Sequence, residues 1–256
     1  MITDGFVQKY ADDRDGVLWT SLMYAVTDEV RHREALAACL DSNGEPFRTP
    51  EKRAERNQFS RDMVVGFIVA ASRSPEGARL LRKLTEYIRR TGFIFPRELS
   101  SDTRHLMTPT LWLVIGRVVP SAAPWYWRWL AKSDRLMFHL MRISIEMAPR
   151  GYQQHLNACL LLALIGKLPM QMSSLLGTIL YSTDMRNPFF TAMAGSPESA
   201  GIMLARCRDE LNAAPNKSNS TQWCWERASN EKAHLGSCGH DFDFLEKLLG
   251  RIPYGC

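Results

Sequence analysis

The sequence predicts an all-α protein, and three observations predict it. Apolar residues recur with helical period along almost the whole chain. There is no sustained alternating pattern and no hairpin dipeptide between two strand-like runs. Helices of two kinds alternate: one apolar on every face, the next amphipathic. A helix apolar all round must be covered on all sides, whereas an amphipathic one needs a single covered face. Alternating the two is what an inner and an outer layer of helices require. The expectation is therefore a set of antiparallel helix pairs, (α/α)-toroid-like or a compact α-solenoid, in one helical domain over 1–256.

The elements follow in chain order. "GVLWTSLMYAVT" (16–27) is apolar all round, and "RHREALAACLD" (31–41) is its amphipathic companion. A polar connection with Gly44, Pro46 and Pro50 as breakers leads to "SRDMVVGFIVAAS" (60–72), apolar again, with Ser60 as N-cap and Asp62 in the first turn. "SPEGARLLRKLTEYIRRTG" (74–92) is amphipathic, with Ser74 as N-cap, Pro75 at the first helical position and Gly92 as the stop. "TPTLWLVIGRVV" (108–119) is apolar and opens on Thr108 and Pro109, and "WYWRWLAKSDRLMFHLMRISIEMA" (125–148) reads as one long amphipathic helix. "YQQHLNACLLLALIGK" (152–167), "PMQMSSLLGTILYST" (169–183) and "SPESAGIMLARCRDELNAA" (196–214) follow. An irregular segment, 215–240, precedes a last helix near 241–251. The units start near 15, 60, 105 and 152, a weak structural repeat without repeated side-chain identity.

Composition narrows the function classes. The chain has 256 residues, 45% apolar and 23% charged, with a net charge of +5. Its basic stretches interleave with acidic or apolar residues, as on solvated helix faces, and no recognised module accompanies them, which argues against nucleic acid as partner. The N-terminal residues lack the basic and apolar regions of a signal peptide, so a cytoplasmic location is expected. Lys167 and Pro169 interrupt the longest apolar tract before either half reaches the roughly 20 residues of a membrane span. With no secretion signal, no disulfide framework is expected among the six cysteines. "WCWERASNEKAHLGSCGHD" holds Cys224, His234, Cys238 and His240, but not in a zinc-binding spacing, so no metal site is assigned. No phosphate-binding glycine loop or nucleophile elbow occurs, and no cofactor is expected.

What remains is a set of polar residues that open the apolar helices. If the inner helices run the same way, their N-terminal ends share one mouth. The residues concerned are Asp12, Asp13 and Asp15; Arg61 and Asp62; Arg104 and His105; Tyr152 and His155; and His240 and Asp241. Carboxylates and imidazoles in one neighbourhood suit acid–base chemistry on a polar substrate. The candidate catalytic residues are Asp15, Asp62, His155 and Asp241, and the candidate substrate contacts are Arg61, Tyr152, Trp223, Trp225 and His240. Each has a plainer role open to it. Asp15, Asp62 and Asp241 suit helix starts, and His155 suits a hydrogen-bonded core position. Arg61 resists that treatment, because a cation at the positive end of a helix needs a partner. The cluster "PWYWRWL" (124–130) fits a bulky core, a sugar-stacking platform or a membrane interface.

Taken in order, "DGVLWTSLMYA", "SRDMVVGFIVA", "QQHLNACLLLAL", "RNPFFTAMAG", "WCWER" and "CGHDFDFLEKLL" resemble a family of uncharacterised all-helical proteins of bacteria and their phages. In that family an acid precedes a Trp-containing first helix, SRD opens the second, and a Trp-rich segment precedes an Asp-containing last helix. The layout is also similar to (α/α)-toroid enzymes that act on carbohydrates, which implies a glycan or related polar polymer as substrate and a glycoside hydrolase or lyase as the activity. The competing expectations are a non-catalytic helical scaffold or interaction protein, and a peripheral membrane-associated protein that uses 108–130 and exposes Trp112, Trp125, Trp127 and Trp129 as one patch.

Overall fold

The computed structural model describes residues 4–7, 16–51, 60–91, 107–213, 223 and 240–251. Among them the protein is all-α: twelve α-helices and one 3₁₀ turn, with no strand beyond a single bridge between Leu40 and Pro46. The helices are α1 (Val17–Thr27), α2 (Val30–Ala38), α3 (Arg61–Arg73), α4 (Pro75–Arg90), α5 (Pro109–Val118), α6 (Trp125–Leu130), α7 (Asp134–Met147), α8 (Tyr152–Leu164), α9 (Met170–Thr183), α10 (Pro188–Met193), α11 (Pro197–Ala213) and α12 (His240–Leu249). They fall into two compact units, the first running to Met137 and the second from Phe138 onward.

In the first unit α3 is the central helix. It packs against α1, α4 and α5, while α2 packs on α1 and α4. This gives a layer of α1, α3 and α5 backed by α2 and α4. The apolar helices are enclosed as their composition requires: every residue from Val17 to Val26 in α1 and from Met63 to Ala71 in α3 is buried. The amphipathic α4 buries one stripe, Gly77, Leu80, Leu81, Leu84, Thr85 and Ile88, and turns its charged face outward.

Small residues set the spacing. A Cβ on Gly66 of α3 would come within 2.9 Å of Ser21 and 3.0 Å of the Leu18 backbone, so α1 and α3 meet nearly backbone to backbone. Ser21 suits the facing position, because its hydroxyl donates to the Val17 carbonyl at 2.7 Å and leaves no buried polar group unpaired. Only Ser74 separates α3 from α4. Its Oγ accepts from the Gly77 N–H at 2.9 Å and pairs with the Tyr24 hydroxyl at 2.9 Å, tying α1 to the start of α4. Thr108 caps α5 in the same way, through the Leu111 N–H.

Two local expectations change. Ser60 stands at the N-cap of α3 but makes no capping bond, and its buried Oγ has no hydrogen-bond partner among the described residues. The long helix expected over 125–148 is two helices, α6 and α7. Ser133 starts the second, accepting from the Leu136 N–H through its hydroxyl, so an internal N-cap breaks a stretch whose apolar pattern reads as continuous.

The second unit is organised around α10, a six-residue helix whose every residue is buried and which touches α8, α9 and α11. A Cβ on Gly177 of α9 would lie 2.0 Å from the Met193 carbonyl, so α9 also approaches at backbone distance. α8 is enclosed over Asn157–Leu164, and α12 packs on α11.

Adding one methyl at the α1–α3 contact should lower stability. Gly66→Ala is expected to cost about 1–3 kcal/mol in urea unfolding through overpacking. Gly201→Ala, in α11 with open space around its Cα, is the matched control, and it should be neutral or stabilising by up to about 1 kcal/mol through helix propensity.

Candidate functional site

The residues singled out by sequence fall in two places or outside the described set. Asp12, Asp13, Asp15, Arg104, His105, Cys224, Trp225, His234 and Cys238 lie outside the described residues. Arg61 and Asp62 open α3 in the first unit, and Tyr152, His155, Trp223, His240 and Asp241 belong to the second. Arg61 is exposed and forms no ion pair among the described residues, and Asp62 is half-buried in the first turn. Tyr152 and His240 are half-buried at the starts of α8 and α12. Asp241 is buried and sits inside the first turn of α12 rather than at its cap.

His155 is fully buried, and its surroundings define its chemistry. Desolvation lowers its pKa from 6.5 to about 3, so the ring is neutral. Its Nδ1–H then donates to the Gly151 carbonyl at 3.1 Å, and its Nε2 accepts from the Asn187 side-chain amide at 2.8 Å. Asn187 is oriented independently, because its Oδ1 caps α10 by accepting from the Phe189 and Phe190 N–H groups at 3.0 and 3.3 Å. The cap fixes the amide and the amide fixes the imidazole. Trp223, expected on a cleft wall, is fully buried and stacks on His155 at 4.3 Å with planes 15° apart. It also stacks on Phe189 and meets Phe244 edge-on. One aromatic cluster thus joins α8, α10 and α12. In this arrangement His155 and Trp223 act on the core, with no surface open to a polymer. Cys159, on the same helix, is a buried free thiol whose pKa burial pushes up, which makes it inert as a nucleophile.

The surface of the first unit holds the other distinctive grouping. The aromatic residues at 112–129 part company: Trp112 is core, Trp127 is half-buried, and Trp125 and Trp129 are 73% and 67% exposed. The reason is local. A Cβ on Gly116 of α5 would meet the Ala131 Cβ at 3.0 Å and the Trp127 carbonyl at 3.1 Å, so α6 lies directly on α5 by the face that carries Trp127 and Ala131. Trp125 and Trp129, one turn apart, take the opposite face, with Tyr126 beside them at 39% exposure. The ring of Trp125 stands edge-on to Tyr126, 6.0 Å away and 87° apart in plane. Arg117 of α5 pairs with Asp134 at the start of α7, which pins the far side of the α6 segment and engages the acid nearest to it. The exposed charges left along the segment are Arg128, Lys132 and Arg135, all cationic.

Sequence reasoning singled out the tryptophans but not Asn187, whose signal was the Asn-Pro pair ahead of two phenylalanines, a cap followed by proline at the first helical position. Among the described residues no group of His, Cys, Asp and Glu could hold a metal ion, and no helix is long and apolar enough to cross a membrane. The chain matches no known protein family, no curated protein and no solved structure.

The buried imidazole predicts a pH dependence. The unfolded chain binds a proton at His155 below pH 6.5, and the folded one does so only near pH 3. The stability present above pH 6.5 is therefore lost as pH falls through that window, with a slope of up to about 1.4 kcal/mol per pH unit. Urea titrations from neutral to acidic pH should show this slope, and His155→Gln, which does not titrate, should flatten it while lowering stability at neutral pH.

Proposed function

We propose that the protein is a non-catalytic binding protein that docks peripherally on an anionic membrane surface through α6. The observation that carries this reading is the pair Trp125 and Trp129, each more than two-thirds exposed on one face of a helix held rigidly on α5. Indole rings partition to the membrane–water boundary, where an apolar body and a polar N–H are both accommodated. Arg128, Lys132 and Arg135 flank them, and each supplies on the order of 1 kcal/mol beside an anionic leaflet. Two aromatic anchors and a short basic segment combine an apolar with an electrostatic attraction, and the two together hold a protein to an anionic surface better than either alone.

The same tryptophans could stack on sugar rings, the contact a glycan-binding role would use. The cationic neighbours Arg128, Lys132 and Arg135 favour the membrane reading, since they complement an anionic surface and have no counterpart on a neutral sugar. The buried positions of His155, Trp223 and Asp241 support binding rather than acid–base catalysis.

Vesicle flotation tests the proposal. The protein should float with phosphatidylserine-containing vesicles and less with neutral ones, and binding should weaken with added salt. Trp125→Ala/Trp129→Ala should reduce the bound fraction to background without changing the urea midpoint, because neither side chain is in the core. Failure to float with anionic vesicles, or flotation unaffected by the double substitution, overturns the reading. Retention on insoluble polysaccharide that depends on the same two residues would replace it with the glycan one.

A further inference from the structure

The first unit carries a second feature that no part of the α6 reading uses: a groove of about 670 Å³ between the turn at 41–45 and the outer face of α4, lined by Ser42, Asn43, Lys83, Glu86, Arg89 and Arg90. The size suits a small organic ligand. The wall contributed by the turn is fixed. Asp41 Oδ1 accepts from the Asn43 and Glu45 N–H groups at 2.8 and 2.7 Å, and the Asp41 N–H donates to the Glu45 carbonyl at 3.0 Å. Gly44 turns with φ +86, and a Cβ there would stand 2.3 Å from the Lys83 carbonyl, so the turn is seated directly on α4. Glu45 also hydrogen-bonds Tyr87 of α4. Arg90 reaches across from α4 to donate to the Asn43 carbonyl.

The charges facing this groove are three cations and one carboxylate. Arg89 and Arg90 in the last turn of α4 would complement the helix dipole in any protein. Lys83 lies two turns earlier, beyond the reach of that effect. Among the described residues neither Lys83 nor Arg89 is in an ion pair, although Glu86 stands on the same helix, whereas Arg79 outside the groove is paired with Glu76. Two cations unpaired among the described residues, a hydroxyl, an amide and a single carboxylate make a mixed donor and acceptor set. That set matches a molecule with phosphate groups for the cations and hydroxyls for the carboxylate and amide.

We propose that this groove binds a phosphorylated polyol, with Lys83 and Arg89 on the phosphate groups and Glu86 and Asn43 on the hydroxyls. The chemistry is shared by soluble sugar phosphates and by the headgroup of a phosphoinositide. The site involves no residue of α6, so it stands or falls independently of membrane docking by the tryptophans.

Calorimetric titration of the full chain with inorganic phosphate, glycerol phosphate and inositol trisphosphate tests it. Saturable binding is expected, tightest for inositol trisphosphate and weakened by salt. Lys83→Gln and Arg89→Gln should each weaken it about tenfold, the loss of one charge-assisted contact. Arg79→Gln removes the same charge from the same helix outside the groove and should change nothing. Glu86→Gln should narrow the preference for inositol trisphosphate over inorganic phosphate. To separate the two sources, the Trp125→Ala/Trp129→Ala protein is floated with phosphoinositide vesicles. Capture that inositol trisphosphate competes away identifies the headgroup, and binding of the soluble probes alone identifies a free phosphorylated polyol. The proposal is overturned if no probe binds saturably, or if Arg79→Gln weakens binding as much as Lys83→Gln, which would mean diffuse surface charge rather than a site.

Discussion

A helix with apolar residues on every face has no side to give to water, and this constraint organises the first unit. α3 buries Met63 through Ala71 without a break, so it needs neighbours all round, and α1, α4 and α5 supply them. Such crowding is possible only where backbones can approach, and Gly66 against Ser21 provides the closest approach on one side. On another side, Gly77 of α4 stands where a Cβ would be 2.4 Å from the Ala70 carbonyl. The side chains on α3 are large where the neighbour is far and absent where it is near. Val, Phe and Ile fill space, but glycine determines which helix can be adjacent, and so which surfaces of α4 and α5 remain free to carry the turn at 41–45 and the α6 segment.

The second unit solves the same problem with a polar group inside the core. A short helix such as α10 cannot hold itself together, since six residues fall far below the length at which helix formation is favourable in water. Asn187 both caps it and donates to His155, so one side chain satisfies the helix start and the buried ring. Neutral imidazole suits this position because it can accept from Asn187 while donating to Gly151, which phenylalanine could not do. Gly151 itself sits at φ 93, a conformation that favours glycine, with its carbonyl turned to the ring. The histidine is thus a joint between two helices and the Trp223 cluster.

Most helices were legible in the sequence because burial and period coincide: the α4 stripe and the Ser74 and Thr108 caps can be read directly from spacing and side-chain type. The departures share a cause. α10 lies in "RNPFFTAMAG", too short to show a period, and its helical state depends on the cap and on being surrounded. The break at Ser133 is invisible to periodicity because α6 and α7 are both apolar enough to read as one. Trp223 stands in a polar stretch that suggests a surface, yet it is core, since a single aromatic can be drawn inward from a polar segment by the ring it stacks on. Trp112 and Trp125 illustrate the limit for the candidate site. Both lie near the start of a helix in an aromatic-rich stretch, yet Trp112 is core and Trp125 is exposed, because α6 seats its Trp127 and Ala131 face on Gly116 and turns Trp125 away. The groove on α4 was less legible still, because Lys83 and Arg89 resemble any solvated helix face until the turn at 41–45 is placed opposite them.

The position of α6 has a physical consequence of its own. Two large aromatic side chains held out in solvent forgo the roughly 1.5–3 kcal/mol that burying a large apolar side chain typically contributes. A mobile segment would recover part of that by folding the rings back onto the surface. Here it cannot, because Gly116 seats the backbone of α6 on α5 and the Arg117–Asp134 pair holds the chain beyond it. The exposure is therefore built into the packing, and it persists whether or not a partner is present. A surface fixed in this way would meet a partner without having to order itself first, so less of the binding free energy would be lost to conformational entropy. For the docking proposed here, a shallow contact of two tryptophans and three cations, that advantage would matter, because so small a contact could not offset the ordering of a loop as well.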